Sequence, residues 1–381
     1  MSNTKTRERA NVSFLAIDPY TETHIVSAKE RRIPGKNIVE WGDNNLYPEY
    51  LLDLYNNVAT LKSVIDGCVD YIAGDDVTIL PLRQGMDGVM NAKGDTIVEQ
   101  VKDVAHDEEK YGGFALQIIR GKDGKPSEVY HIDMRFLRTN KECDVFYYCE
   151  DWKKTGKKKV IVYPKFIPSI AEKWLALTDE ERDRHASSIL FVKSIRTQVY
   201  PSPRYSASVK SCEIERCIDD FHLNAINNGF TGSYIINFNN GKPAPEAMEE
   251  IEDNFNEKFA GHQNAGRIAF SWNESRTTAT TIEQVQVQDF GEKYKSLEAT
   301  SRQRIFTAFR ANPNLFGIPT ENLGFSSEEY ESAFRLFNRT HVRPIQKKIA
   351  DAYDKIYGQK GVLTIVPFSM DEESATDEAV K

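Results

Sequence analysis

The sequence has no cysteine pair at metal-ligand spacing. Its five cysteines, Cys68, Cys143, Cys149, Cys212 and Cys217, include no C-x-x-C matched to a second Cys or His pair. A zinc-finger arrangement is therefore not expected, and reduced intracellular thiols are the default. There is no G-x-x-x-x-G-K-[ST] loop: "RGKDGKP", the nearest approach, fails the spacing and sits between two strand-like runs, which excludes a nucleotide site of the P-loop kind. Long hydrophobic runs are missing too. "SSILFV" and "FALQII" are the longest, far short of a membrane span. The opening "MSNTKTRERANVS" is polar and basic, not a secretory pattern. Excess positive charge is also lacking. A formal net charge of −8 argues against a generic nucleic-acid binder, which shows a basic footprint.

What is present reads as a folded α+β protein. The 381 residues are 40% hydrophobic and 28% charged, enough for two or three structural units. Residues 1–35 form a charged, weakly periodic arm. After a turn-rich stretch from Gly42 to Pro48, Leu51, Leu54, Val58, Leu61, Ile65, Val69 and Ile72 recur at helical spacing, and Gly74 is placed to end that helix. From about residue 110 to 200 the pattern changes to strands. "FALQIIRGKDGKPSEVYHID" reads as a hairpin, "DVFYYCEDWKKTGKKKVIVYP" as a second with its tip at Thr155 and Gly156, and "SSILFVK" as a further strand.

Two long amphipathic helices follow. The first runs from Ser206 to about Asn228, with Ile214, Cys217, Ile218, Phe221 and Ala225 on one stripe and Lys210, Glu213, Asp220 and Asn224 opposite. The second covers about residues 282–310, with Val287, Phe290, Tyr294, Leu297, Ile305 and Phe309 in phase. Between them lies a compact insertion: a strand "SYIINF", a turn, a helix with Met248, Ile251, Phe255 and Phe259 on one face, and a strand "RIAFSW". Neither long helix carries a coiled-coil heptad. Each has one apolar and one wet face, as helices lining a space would. A capping-box pattern, Ser326 with Glu329, starts a last helix that Pro344 should kink or divide.

Between the second long helix and the last one, the chain spends residues 312–325 on a loop. Loops of that length inside a compact domain are usually functional or disordered. Leu315, Phe316, Ile318, Leu323 and Phe325 argue against disorder.

Other features take plainer readings. The basic run Lys153 to Lys159 is a solvated hairpin tip flanked by strands. "HIDMR", with His131, Asp133 and Arg135, lacks a second ligand cluster and reads as structural. Cys212 and Cys217, five apart on a helix, point in different directions.

Four passages, in order, resemble the portal proteins of tailed bacteriophages, particularly the HK97-like group. "WGDNNLYPEYLLDLYNNVATLKSVIDGCVDYIAG" is similar to the start of the portal wing. "ILFVKSIRTQVYPSPRYSASVKSCEIERCIDDFHLNAINNGFTGSYIINF" resembles the strand, "SP" turn, first stem helix and start of the clip. "FNEKFAGHQNAGRIAFSW" resembles the clip helix and return strand. "IFTAFRANPNLFGI" with "SSEEYESAFRLFNRTHVRPIQKKI" resembles the second stem helix, the "PxLFG" loop and the tunnel helix.

The resemblance implies a wing over 36–205, a stem of 206–230 and 278–311, a clip over 231–277, a tunnel loop over 312–325 and a tunnel helix over 326–360. A short tail, 361–381, replaces a large crown. It implies a non-enzymatic homo-oligomeric ring, a dodecamer at one capsid vertex, with no cofactor, metal or membrane. Double-stranded DNA would pass through it. Partners would be the terminase large subunit, the major capsid protein and scaffold, and head-completion or adaptor proteins, met in the host cytoplasm during assembly and in the virion thereafter. Tunnel-loop residues near DNA would be Thr320, Glu321, Asn322, Leu323 and Gly324. Lys210, Glu213, Asp220 and Asn224 would face the channel from the stem. Lys242, Glu246, Glu249, Glu250 and Lys258 would face terminase from the clip.

Net acidity suits such a role, because a channel must pass a polyanion without trapping it through phosphate contacts. The first long helix carries Lys210 and Arg216 against Glu213, Glu215, Asp219 and Asp220. Two rival readings stand beside this one. The first is a metal-dependent nuclease or other hydrolase using Asp133 and Asp144 beside His131. The second is a head-assembly protein without a channel.

Overall fold

The structure is a computed structural model that describes residues 37–81, 88–154, 159–195, 198–227, 234–238, 243–248, 250–251, 268–272, 290–318 and 327–368. Its body opens with two helices, α1 (Tyr47–Asn57) and α2 (Ala59–Ala73). The sequence pattern suggested one helix here. Val58 interrupts it with an extended backbone (φ −118°, ψ 106°), yet Val58 itself is fully buried with Leu51, Leu54, Leu61, Ile65, Val69 and Ile72. A single extended residue between two helices re-aims the stripe without exposing it. Gly74 (φ 68°) ends α2 as expected; a Cβ there would lie 2.0 Å from the Val366 carbonyl oxygen.

Strand β1 (Asp76–Ile79) leads to α3 (Ile97–Tyr111), a helix the sequence reading did not assign. Its start is a reciprocal capping box between Thr96 and Glu99, and left-handed Gly112 ends it. Strands β2 (Gly113–Arg120) and β3 (Pro126–Ile132) form the first anticipated hairpin. Strands β4 (Leu137–Thr139), β5 (Val145–Tyr148) and β6 (Ile161–Pro164) make an antiparallel sheet in that order. The pairing of β5 with β6 is the second hairpin, and its tip, 155–158, lies outside the described residues. A short helix α4 (Ile170–Lys173) and a polar helix α5 (Asp179–Ala186) precede β7 (Ser187–Lys193), which pairs antiparallel with β2. The sheet order is thus β3-β2-β7.

Next come α6 (Val209–Asn227), β8 (Tyr234–Phe238), β9 (Ile268–Trp272) and α7 (Phe290–Phe309). β8 and β9 pair in parallel, so the chain between them must cross over. The helical turn at 245–248 and 250–251 lies on that crossover. The last helices are α8 (Ser327–Phe337) and α9 (Arg343–Tyr357), separated by a π-turn, Asn338–Val342. Pro344 stands in the first turn of α9. Its missing N–H and ring exclude a regular ladder with the preceding turn, and the widened turn absorbs the misfit, dividing the helix.

The chain then returns to the body. β10 (Leu363–Val366) pairs antiparallel with β1, Asp76 opposite Val366. Part of the segment assigned to a tail from 361 is therefore a strand, while 369–381 lies outside the described residues. One core joins α1, α2, α3, the β3-β2-β7 sheet, the base of the α6–α7 pair and α9.

Consecutive acids near the end of α3 clamp this body together. Asp107, Glu108 and Glu109 are all buried, and a helix turns about 100° per residue, so each reaches a different neighbour. Asp107 takes His131 at 2.8 Å, Glu108 takes Lys348 at 2.5 Å and Ser194 at 3.0 Å, and Glu109 takes His341 at 2.9 Å. Burial raises the Glu108 pKa, and the Lys348 charge works against that rise.

Candidate functional site

The long helices stand side by side. Tyr205, just before α6, stacks on Phe309 with centroids 5.5 Å apart, Ser208 Oγ donates to the Arg304 carbonyl at 3.0 Å, and Phe221 stacks on Tyr294 at 5.0 Å. As the α6 number rises its α7 partner number falls, so the pair is antiparallel. Near the body the contact is deep: Cys212, Ile218, Ile305, Phe306 and Phe309 are buried. Farther out it thins. Phe221 is 49% exposed, Leu223 58% and Leu297 48%, large apolar side chains on a helix pair with open flanks.

The buried face of α6 therefore differs from the apolar stripe. Val209, Ser211, Cys212, Glu215 and Ile218 turn inward, while Cys217 and Phe221 are exposed. The reason lies in α1 and α2. Glu215 accepts from the Thr60 backbone N–H at 3.0 Å, where α2 starts and presents unpaired donors. Glu213 accepts from the Tyr50 hydroxyl at 2.7 Å and pairs with Arg216 at 2.6 Å, and Arg216 also reaches Asp53 at 2.9 Å. Burial, with Glu213 adding to it, pushes the Tyr50 hydroxyl pKa up, so it stays a donor. These polar groups fix the root of the helix to the body.

Of the residues expected to face a channel from this helix, Lys210 and Asp220 are exposed, Glu213 is engaged as described, and the side chain of Asn224 lies outside the described set. On the crossover between β8 and β9, Glu246 and Glu250 are exposed, one helical turn apart. Lys242, Glu249 and Lys258 lie outside the described residues, as do Thr320, Glu321, Asn322, Leu323 and Gly324.

The first half of the 312–325 loop is described, and it is anchored. Arg310 adopts a left-handed backbone (φ 54°) after α7. Asn312 then caps a 3₁₀ turn, Pro313–Phe316, that Gly317 (φ 72°) closes. Leu315 is buried, and its carbonyl accepts from the Tyr71 hydroxyl at 2.8 Å. The Phe316 ring meets Tyr71, Phe306 and Phe337 edge-on at 5.7–6.0 Å, and Ile318 packs on the same core. Three of the five apolar loop residues, Leu315, Phe316 and Ile318, are thus anchored on the core.

The residues invoked for hydrolysis are committed locally. Asp133 caps a short turn and pairs with Arg135 at 2.7 Å, Asp144 accepts from Asn140 at 2.5 Å, and His131 is held by Asp107. In the second long helix Arg302 pairs with Glu298 at 2.8 Å. One cluster escaped the sequence reading: Cys68, Glu109 and His341, all buried, bring ligand atoms within 4.8 Å of one another. No local spacing joins 68, 109 and 341, so no motif could have found it. Among the described residues, no helix is long and apolar enough to cross a membrane.

The described residues thus form a mixed α+β body, an antiparallel α6–α7 pair and, between those helices in sequence, a parallel β8–β9 pair. The family model for phage portal protein matches residues 94–379. The chain belongs to that family, and its role is that of a portal protein, a structural component. No curated protein matches the sequence. Among solved structures, the chain is similar to one from the neck of a native GTA particle computed with C12 symmetry: 16% identity, 85% of each chain covered, TM-score 0.53. It is also similar to one from the virion of a native gene transfer agent particle, at 16% identity, 86% of each chain and TM-score 0.50. A third match is an HK97 family phage portal protein from Corynebacterium diphtheriae, at 9% identity, 80% of this chain, 88% of that one and TM-score 0.44. At these identities the first two likenesses speak to fold alone.

Proposed function

We propose that the chain assembles into a twelve-membered ring at one vertex of a phage or phage-like capsid, and that double-stranded DNA is packaged and ejected through its centre. The body is the wing, α6 and α7 are the stem, the β8–β9 unit is the clip, and the 312–325 segment, whose start is anchored, is the tunnel loop. The observation that carries this reading is the antiparallel α6–α7 pair. It is pinned at its root by Glu213 and Glu215 and shows exposed Phe221, Leu223 and Leu297 farther out. In a closed ring each such patch meets a neighbouring copy. The twelvefold symmetry of the GTA neck with the similar fold supports the count.

Lys210, Asp219 and Asp220 are the exposed charges of the described part of α6, a mildly acidic surface that lets a polyanion slide. Work on DNA comes from a terminase motor docked at the clip, where Glu246 and Glu250 are the described contact residues. The major capsid protein and scaffold meet the wing, and head-completion proteins later replace terminase. The protein itself performs no chemistry.

Negative-stain electron microscopy with light scattering tests this. A ring with an open hole, near twelve copies of a 43.4 kDa chain or about 521 kDa, is the expected result. Persistent monomers that cleave DNA with Mg²⁺, and stop doing so on Asp133→Ala, would replace it with the hydrolase reading.

A further inference from the structure

The portal role makes no use of the buried cluster of Cys68, Glu109 and His341. These residues come from α2, from the end of α3 and from the π-turn before α9. Glu109 and His341 are completely buried, with His341 Nε2 2.9 Å from Glu109 Oε1. That one hydrogen bond leaves the set half satisfied. Glu109 Oε2 and His341 Nδ1 are buried without a hydrogen-bond partner among the described residues, and a buried polar atom left so costs on the order of 1–3 kcal/mol.

We propose that Cys68, Glu109 and His341 form a zinc site, with the thiolate, one imidazole nitrogen and both Glu109 carboxylate oxygens as donors. Thiolate, imidazole and carboxylate are the ligands zinc takes, and four donor atoms fill its coordination shell. Chelation through both oxygens gives Oε2 its missing partner. Mg²⁺ and Ca²⁺ are disfavoured, since they take all-oxygen shells and the sulfur is a soft ligand. Charge also closes: one thiolate and one carboxylate balance a divalent ion beside a neutral imidazole, leaving no net charge in the interior, where it is costly.

Binding replaces the Cys68 S–H bond with an S–Zn bond and releases one proton, with no change in oxidation state. Without an ion, burial keeps the Cys68 pKa well above its usual value, so the thiol stays protonated. The site would tie α2 and α3 to the π-turn beside the loop anchor, since Gly67 meets the Phe316 ring. π-Turns within helices often mark functional positions.

The test is metal content of the full-length chain, prepared without a metal-binding tag, incubated with Zn²⁺ and desalted. Elemental mass spectrometry should find on the order of one zinc per chain in the wild type and Cys217→Ser, and less than about a tenth in Cys68→Ser or Glu109→Gln. Cys217 is exposed and serves as the control for surface thiols. Co²⁺ put in place of zinc in the wild type should give a thiolate-to-cobalt charge-transfer band, a readout that needs no variant. A wild-type chain without zinc, zinc retained undiminished by Cys68→Ser, or bound cobalt with no thiolate band overturns the proposal.

Discussion

Gly67 allows the loop anchor to be tested by a change of sign. It sits inside α2, and a Cβ built there would lie 2.6 Å from Phe316 Cδ1 and 2.8 Å from Cε1. The ring cannot slide away freely, because Tyr71, Phe306 and Phe337 surround it. Gly67→Ala therefore overpacks the site, at about 1–3 kcal/mol. The same substitution regains about 1 kcal/mol of helix propensity. The net effect in the wild type is a loss of up to about 2 kcal/mol.

In a Phe316→Ala background the steric term disappears and the propensity remains, so Gly67→Ala should now stabilise by about 1 kcal/mol. Urea unfolding of the four proteins of this cycle, followed by circular dichroism, measures both numbers and their coupling. Equal stabilisation by Gly67→Ala in both backgrounds would show that Phe316 does not rest on α2, and the anchored start of the loop would fall with it.

Replacing 319–324 by a Gly/Ser linker, which keeps the Leu315, Phe316 and Ile318 anchors, should leave rings intact and reduce DNA packaging or retention; DNA-filled heads at wild-type yield would remove the loop from the channel. Phe221→Asp changes a half-exposed residue and should cost the monomer less than about 1.5 kcal/mol, chiefly the lost stacking on Tyr294, while breaking the ring by placing a charge in its interface; an unchanged ring in light scattering would place that face elsewhere. Burial lowers the His131 pKa, but the Asp107 charge and hydrogen bond, helped by Asp103 and Asp133, outweigh it and raise the value above normal. The stabilisation is then fully present below the unfolded-state pKa of about 6.5 and is lost as pH rises through the folded value. His131→Gln should accordingly cost more stability at about pH 5.5 than at about pH 9, and equal losses at both would refute the pairing.

Local order was legible in the sequence because local rules govern it. The apolar repeat from Leu51 to Ile72 marks residues that are all buried. The turn "GKDGK" between alternating runs gave the β2–β3 hairpin, and Pro344 marked the division of the last helix. The order of helix, small αβ insertion and helix supplied the family resemblance. What periodicity reports is that a face is covered, and it is silent on what covers it. The α6 stripe shows this: Phe221 and Cys217 are exposed in the single chain, and the inward face is set by Glu215 capping α2 and Glu213 meeting Tyr50.

Charge was hidden in the same way. "DEE" at 107–109 has the composition of a solvated run. It is buried because His131, Lys348 and His341, remote in sequence, each arrive to pair with one acid. The return of β10 to β1 and the meeting of Cys68, Glu109 and His341 are likewise long-range events. Their energies depend on distances between residues that no spacing along the chain encodes. The sequence determined the two hairpins and most of the helices, α3 and the break at Val58 excepted, and the tertiary structure alone decided which polar groups would share the interior.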